Sequence, residues 1–188
     1  MRFIKRIITA LLVLTVIGVL FRGWFYRHLV TYRSIGTRTN YSAKNKVLIN
    51  YIDANSRQQN SQDVKPIIEL ALSLTARKLN FTAGKNSVDP NKLITSKTAH
   101  CVGYATFFAA TCNYLLQKEG LANNWTAKPQ IGQLYLLGEN VHKYVNSPFF
   151  KDHDFVTIEN QSTGEIFAVD PTVNDYLAID FVTYRNDN

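Results

Sequence analysis

A run of 15 uncharged residues, Ile7 to Phe21 (IITALLVLTVIGVLF), lies between Arg2, Lys5 and Arg6 on one side and Arg22 on the other. A buried helix of a soluble protein does not explain an apolar run surrounded by cations and no anion, whereas a bilayer does. The run is shorter than the roughly 20 residues that a spanning helix usually needs. Snorkelling of the flanking arginines, with the rings of Trp24, Phe25 and Tyr26 at the interface, makes up the difference. A cleaved signal peptide would end its apolar core in small residues, but this run ends Leu20-Phe21-Arg22-Gly23-Trp24. The sequence therefore predicts a single-pass N-terminal membrane anchor over residues 1–22, a basic stalk over 23–40 and one folded domain over 41–188.

The formal charge of +7 invites a nucleic-acid reading, so its location matters. Seven of the 21 Lys and Arg fall in the first 39 residues, where there is no Asp or Glu; the remaining 14 are balanced by 14 acidic residues. A nucleic-acid-binding domain carries its basic footprint on the folded body, so no nucleic-acid partner is expected. The cations on the two sides of the apolar run nearly balance, which leaves the membrane face open under the positive-inside rule. The globular part is expected on the extracytoplasmic side. Four N-x-S/T triplets, at Asn40, Asn80, Asn124 and Asn160, add little, since about two arise by chance at this composition.

Beyond residue 40 the apolar periodicity predicts helices first and strands afterwards, an α+β order. Val47, Leu48, Tyr51 and Ile52 mark a helix over 44–54. A second, over 63–79, has Ser61 or Asp63 as its cap and Pro66 in its first turn. Residues 80–100 read as a loop, and a third helix runs from Cys101 to Lys118 with Gly120 as its stop. Strands follow at 131–137, 155–158, 166–169 and around 176–184.

Cys101 follows a polar loop and opens an apolar helix, where unpaired amides and the helix dipole favour a thiolate. Cys112 lies mid-helix and reads as core. A thiolate nucleophile needs a base, and the hairpin between 155 and 169 selects His153. With a four-residue loop, Glu159 pairs with Gly164 and His153 falls opposite Asp170, with Cβ atoms about 5 Å apart. Asp152 and Asp154 are expected to be solvated. No cofactor and no metal are expected, since no close Cys/His pair has a zinc-finger spacing.

Three segments together resemble the transglutaminase-like superfamily. Ala99 to Gly120 (AHCVGYATFFAATCNYLLQKEG) is similar to its nucleophile helix, His153-Asp-Phe-Val-Thr-Ile to its histidine strand, and Val169-Asp170-Pro171-Thr172 to the motif of its third member. They occur in the family's order, and residues 138–152 stand out as an extra loop before His153. The resemblance implies a papain-like packing of the cysteine helix on an antiparallel sheet and a Cys101-His153-Asp170 triad. It also implies acyl-thioester chemistry on a peptide or protein amide, with hydrolysis favoured over cross-linking. The competing expectation is a membrane-tethered binding or assembly module with the same fold and no turnover.

Overall fold

The computed structural model describes residues 2–56, 63–147 and 151–186, and its seven helices and mixed sheet form an α+β fold. Helix α1 (Arg2–Leu20) contains the apolar run, is exposed along the described part of its length and is apolar enough over Phe3–Leu20 to cross a membrane. Helix α2 (Arg22–Leu29) continues it. Phe21 donates its backbone N–H to Ile17 O and Phe25 donates to Phe21 O, at 2.9 and 3.0 Å, so helical bonding crosses the junction.

Residues 23–40 are not the stalk that their sequence suggests. Val30–Thr37 is strand β1, which pairs antiparallel with a long strand over Trp125–Leu136 and parallel with a short one over Thr183–Arg185. The segment has the composition of a stalk because it is half-buried and carries arginines, but Arg33 and Arg38 have distant partners. The Arg33 guanidinium lies 4.2 Å from the centroid of the Tyr135 ring, and Arg38 is paired with Asp152 and Asp154. Tyr32, in the middle of the strand, is fully buried.

Helix α3 (Lys46–Asn55) begins where the Asn45 side chain accepts the Val47 N–H, and it buries Leu48 and Ile52 while Val47 faces solvent. Helix α4 (Lys65–Lys78) starts with Pro66 in its first turn and the Asp63 carboxylate on the Lys65 N–H, at 3.1 Å. Ser61, the other expected cap, lies outside the described residues. The segment expected to be a loop contains strand β2 (Asn80–Phe81), helix α5 (Pro90–Ser96) and strand β3 (Thr98–Ala99), with β2 and β3 paired in parallel. Asp89 capping the Asn91 N–H, and Pro90 in the first turn, nucleate α5 within polar surroundings.

Helix α6 (Cys101–Lys118) is the spine of the domain, buried on nearly every side between α4 and the sheet, and it stops just before Gly120 at φ +75°. The sheet comprises β1, β4 (Trp125–Leu136), β5 (Glu139–Asn140), β6 (Phe155–Asn160), β7 (Ile166–Val169) and β8 (Thr183–Arg185), in the order β7-β6-β4-β1-β8, with β5 on the end of β4. The parallel β1–β8 pair makes it mixed rather than wholly antiparallel. The last helix, α7 (Pro171–Leu177), occupies the start of the stretch expected to be strand, so β8 begins only at Thr183.

The hairpin register also differs. Glu159 pairs with Ile166, so the connection is two residues longer than expected. A shift of two keeps every side chain on its face, where a shift of one would have inverted them. The predicted proximity of His153 and Asp170 therefore survives the wrong register.

Candidate active site

Cys101 is the first residue of α6. His100 before it is extended and its side chain makes no cap bond, and the first turn of this 18-residue helix holds no acidic residue, so its unpaired amides and positive end lie beside the thiol. Cys101 is 8% exposed and borders a cavity of about 330 Å³ that His153 also lines. Cys112, further along α6, is fully enclosed, and burial alone pushes its thiol up to about 12. Both cysteines are free thiols.

His153 lies just before β6, held against β4 by its own N–H, which donates to Gly132 O at 2.9 Å. A Cβ on Gly132 would sit 2.6 Å from His153 O and 2.6 Å from the Phe155 ring, so this close approach requires glycine. His153 Nε2 is 2.6 Å from Asp170 Oδ2, and His153 and Cys101 line the same cavity. With Nε2 engaged by the carboxylate, Nδ1 is the nitrogen left for the thiol. Burial opposes charge on the ring, but the Asp170 carboxylate, with a smaller contribution from Cys101, outweighs it and holds the imidazolium well above its ordinary pKa.

Asp170 joins β7 to α7 and is fully buried. Its Oδ1 accepts the backbone N–H groups of Thr172 and Val173, at 2.9 and 3.1 Å, capping α7. Its Oδ2 accepts from His153 and from the Tyr32 hydroxyl, the latter at 2.8 Å. Burial would raise this carboxyl's pKa, yet His153, Tyr32 and the cap bonds bring it below the usual range. The Tyr32 hydroxyl, having donated to Asp170, is available to accept from the Tyr26 hydroxyl 2.6 Å away. Burial raises Tyr26 to about 12 and Tyr32 well above its ordinary value, so both donate as neutral phenols.

The structure thus brings together the three residues that the sequence motifs single out and adds Tyr32 and Tyr26, which a stalk over 23–40 would leave without a role. The signal for Tyr32 is the alternation around it in Val30–Thr37, one buried aromatic in a β-branched strand. Asp154 is a second correction. It is fully buried rather than solvated, and Arg38 grips it with two bonds, Nε to Oδ2 at 2.8 Å and Nη2 to Oδ1 at 2.9 Å. Burial pushes Asp154 up and Arg38 holds it back. Asp152 is partly exposed, 3.5 Å from the same guanidinium. This ion pair fixes the chain on either side of His153.

A second cavity, about 290 Å³, borders Cys101 on the side of Lys85 and His100, whereas a cavity of about 170 Å³ beside Asn40 and Asn113 includes none of these residues. No protein-family model, curated protein or solved structure matches the chain.

Proposed function

We propose that this protein is a membrane-anchored cysteine enzyme of transglutaminase-like type that acts on amide bonds through an acyl-thioester, with water as the favoured acceptor. The observation that carries this reading is the 2.6 Å His153–Asp170 bond beside Cys101 at a helix N-terminus. Cys101 attacks the amide carbonyl, His153 moves the proton through Nδ1, and Asp170 orients the ring and stabilises its charged form. The backbone N–H of Cys101 is one donor for the developing oxyanion. A helix bearing the thiol, packed on a sheet whose β6 follows the histidine and whose β7 leads to the aspartate, supports the papain-like arrangement that the motifs imply.

Residues 2–20 serve as the anchor in this reading, with the flanking arginines at the headgroups. Retention of the segment is supported by what lies just beyond it: Arg22 donates from Nε to Leu177 O at 2.6 Å, and Tyr26 bonds to Tyr32. The 8% exposure of Cys101 favours the alternative of a silent binding module with the same fold.

The pH dependence of Cys101 alkylation by iodoacetamide, read by peptide mass spectrometry on the full chain, separates the two. An enzyme requires a thiolate well below the ordinary thiol range of about 8.5 that is lost in His153→Ala, with Cys112 unreactive throughout. A Cys101 that titrates as a free thiol, indifferent to His153, would refute the enzyme reading.

A further inference from the structure

Two clefts meet at Cys101. The first is walled by Phe81, Leu134, Val141 and Val145, and His153 also lines it. The second runs past Gly84, Lys85, His100 and Val102. Cys101 and Asp152 border both, but His153 borders only the first. Val141 and Val145 come from the segment following β5, within the extra stretch between β4 and His153.

An amide seated on Sγ of Cys101 has an acyl half and an amine half, and the proton step tells them apart. When the tetrahedral intermediate collapses, the C–S bond is retained, the C–N bond breaks and the imidazolium proton passes to the departing nitrogen. A general acid must stand within hydrogen-bond reach of the atom it protonates. The nitrogen therefore lies on the His153 side, and whatever it carries extends into the first cleft, leaving the acyl half to run towards Lys85 and His100.

Resting on the cysteine-enzyme reading and deepening it, we infer that the cleft lined by Phe81, Leu134, Val141 and Val145 is the amine subsite and selects amides whose amine half is apolar. Specificity in such a subsite comes from apolar area removed from water. The carboxylate that borders it, Asp152, is 3.5 Å from the Arg38 guanidinium, and the other polar residues of its lining beyond the triad are Thr172 and His142, whose Nε2 accepts the Leu134 N–H at 3.0 Å. The same subsite receives an amine acceptor in the reverse sense. Its nitrogen forms a bond to the thioester carbon, the C–S bond breaks, and the amine proton goes to His153 as the Cys101 sulfur departs with the electron pair.

The test uses the full chain in phosphatidylcholine nanodiscs. Cys101 is acetylated with p-nitrophenyl acetate, and the acetyl-enzyme is divided between water, benzylamine and ethanolamine, two amines of like charge. The expected result is at least about a tenfold preference for benzylamine, in line with the discrimination of an apolar pocket, reduced towards unity by Val145→Asp. Equal partition between the amines would overturn the inference. A second measurement is independent of turnover: benzylamine should slow iodoacetamide alkylation of Cys101 and ethanolamine should not. Failure to form acetyl-enzyme together with selective protection by benzylamine would sink the enzyme reading and keep the apolar subsite, while absence of selective protection would sink the subsite itself.

Discussion

Replacing Tyr32 by Phe removes one hydroxyl and keeps the buried ring, so its effect can be worked from the contacts. Asp170 has four donors: two backbone amides on Oδ1, and His153 and Tyr32 on Oδ2. A hydrogen bond to a charged group contributes about 1.5–3 kcal/mol, and a loss of about 2 kcal/mol is expected near neutral pH. The bond favours the ionised carboxylate, so removing it raises the native pKa of Asp170. Asp170 is held below its ordinary range, so the stabilisation it provides is present above the unfolded value and disappears as pH falls through the native one. In Tyr32→Phe that loss begins at higher pH. Urea unfolding of the detergent-solubilised chain across an acidic pH series should show the acid limb displaced to higher pH. The acid limb of Cys101 alkylation should move with it, because protonating Asp170 removes the partner of His153. Tyr26→Phe, which touches Asp170 only through Tyr32, should shift both limbs by less. Equal destabilisation at every pH, with neither limb moved, would refute the argument and reduce Tyr32 to a packing residue.

Two further outcomes are expected. Because His153 titrates above its ordinary value in the folded chain, its stabilisation is complete below about pH 6.5 and is lost as pH rises through the raised native value. An alkaline decline in urea stability that His153→Ala abolishes is the expected signature, and an identical decline in the variant would contradict it. Arg38→Ala strands the fully buried Asp154 carboxylate and should cost about 3–5 kcal/mol in the same assay. The double variant Arg38→Met/Asp154→Leu should recover most of that, and a loss below about 1 kcal/mol for Arg38→Ala would argue that Asp154 is already neutral.

Much of the site is legible in the chain because its signals are local. Cys101 at the junction of a polar loop and an apolar helix needs only helix-end reasoning, and the helix begins and ends where that reasoning puts it. The His153–Asp170 approach needs only an alternating hairpin, and an even slip in register leaves the faces intact. The parts that escape depend on long-range partners. Arg33, Arg38 and Tyr32 look like pieces of a basic linker until Tyr135, Asp154 and Asp170, about 100 residues or more away, are set beside them. Helix α7 escapes for the opposite reason: Asp170-Pro171 is a local capping signal, but the charge of Asp170 points to the histidine and hides its second role as a cap.

Arg22 gives the chain an unusual mechanical layout. It is the first residue after α1 to carry a charge, and it grips the carbonyl oxygens of Leu177 and Ala178 at the far end of α7, whose near end is capped by Asp170. Helix α7 is thus a strut about 10 Å long, clamped at one end by the carboxylate that holds His153 and at the other by the root of the apolar helix. A soluble form cut at residue 40, where the sequence alone would end the linker, would lose the clamp, strand β1 and Tyr32 together. A cut before Arg22 would leave all three in place.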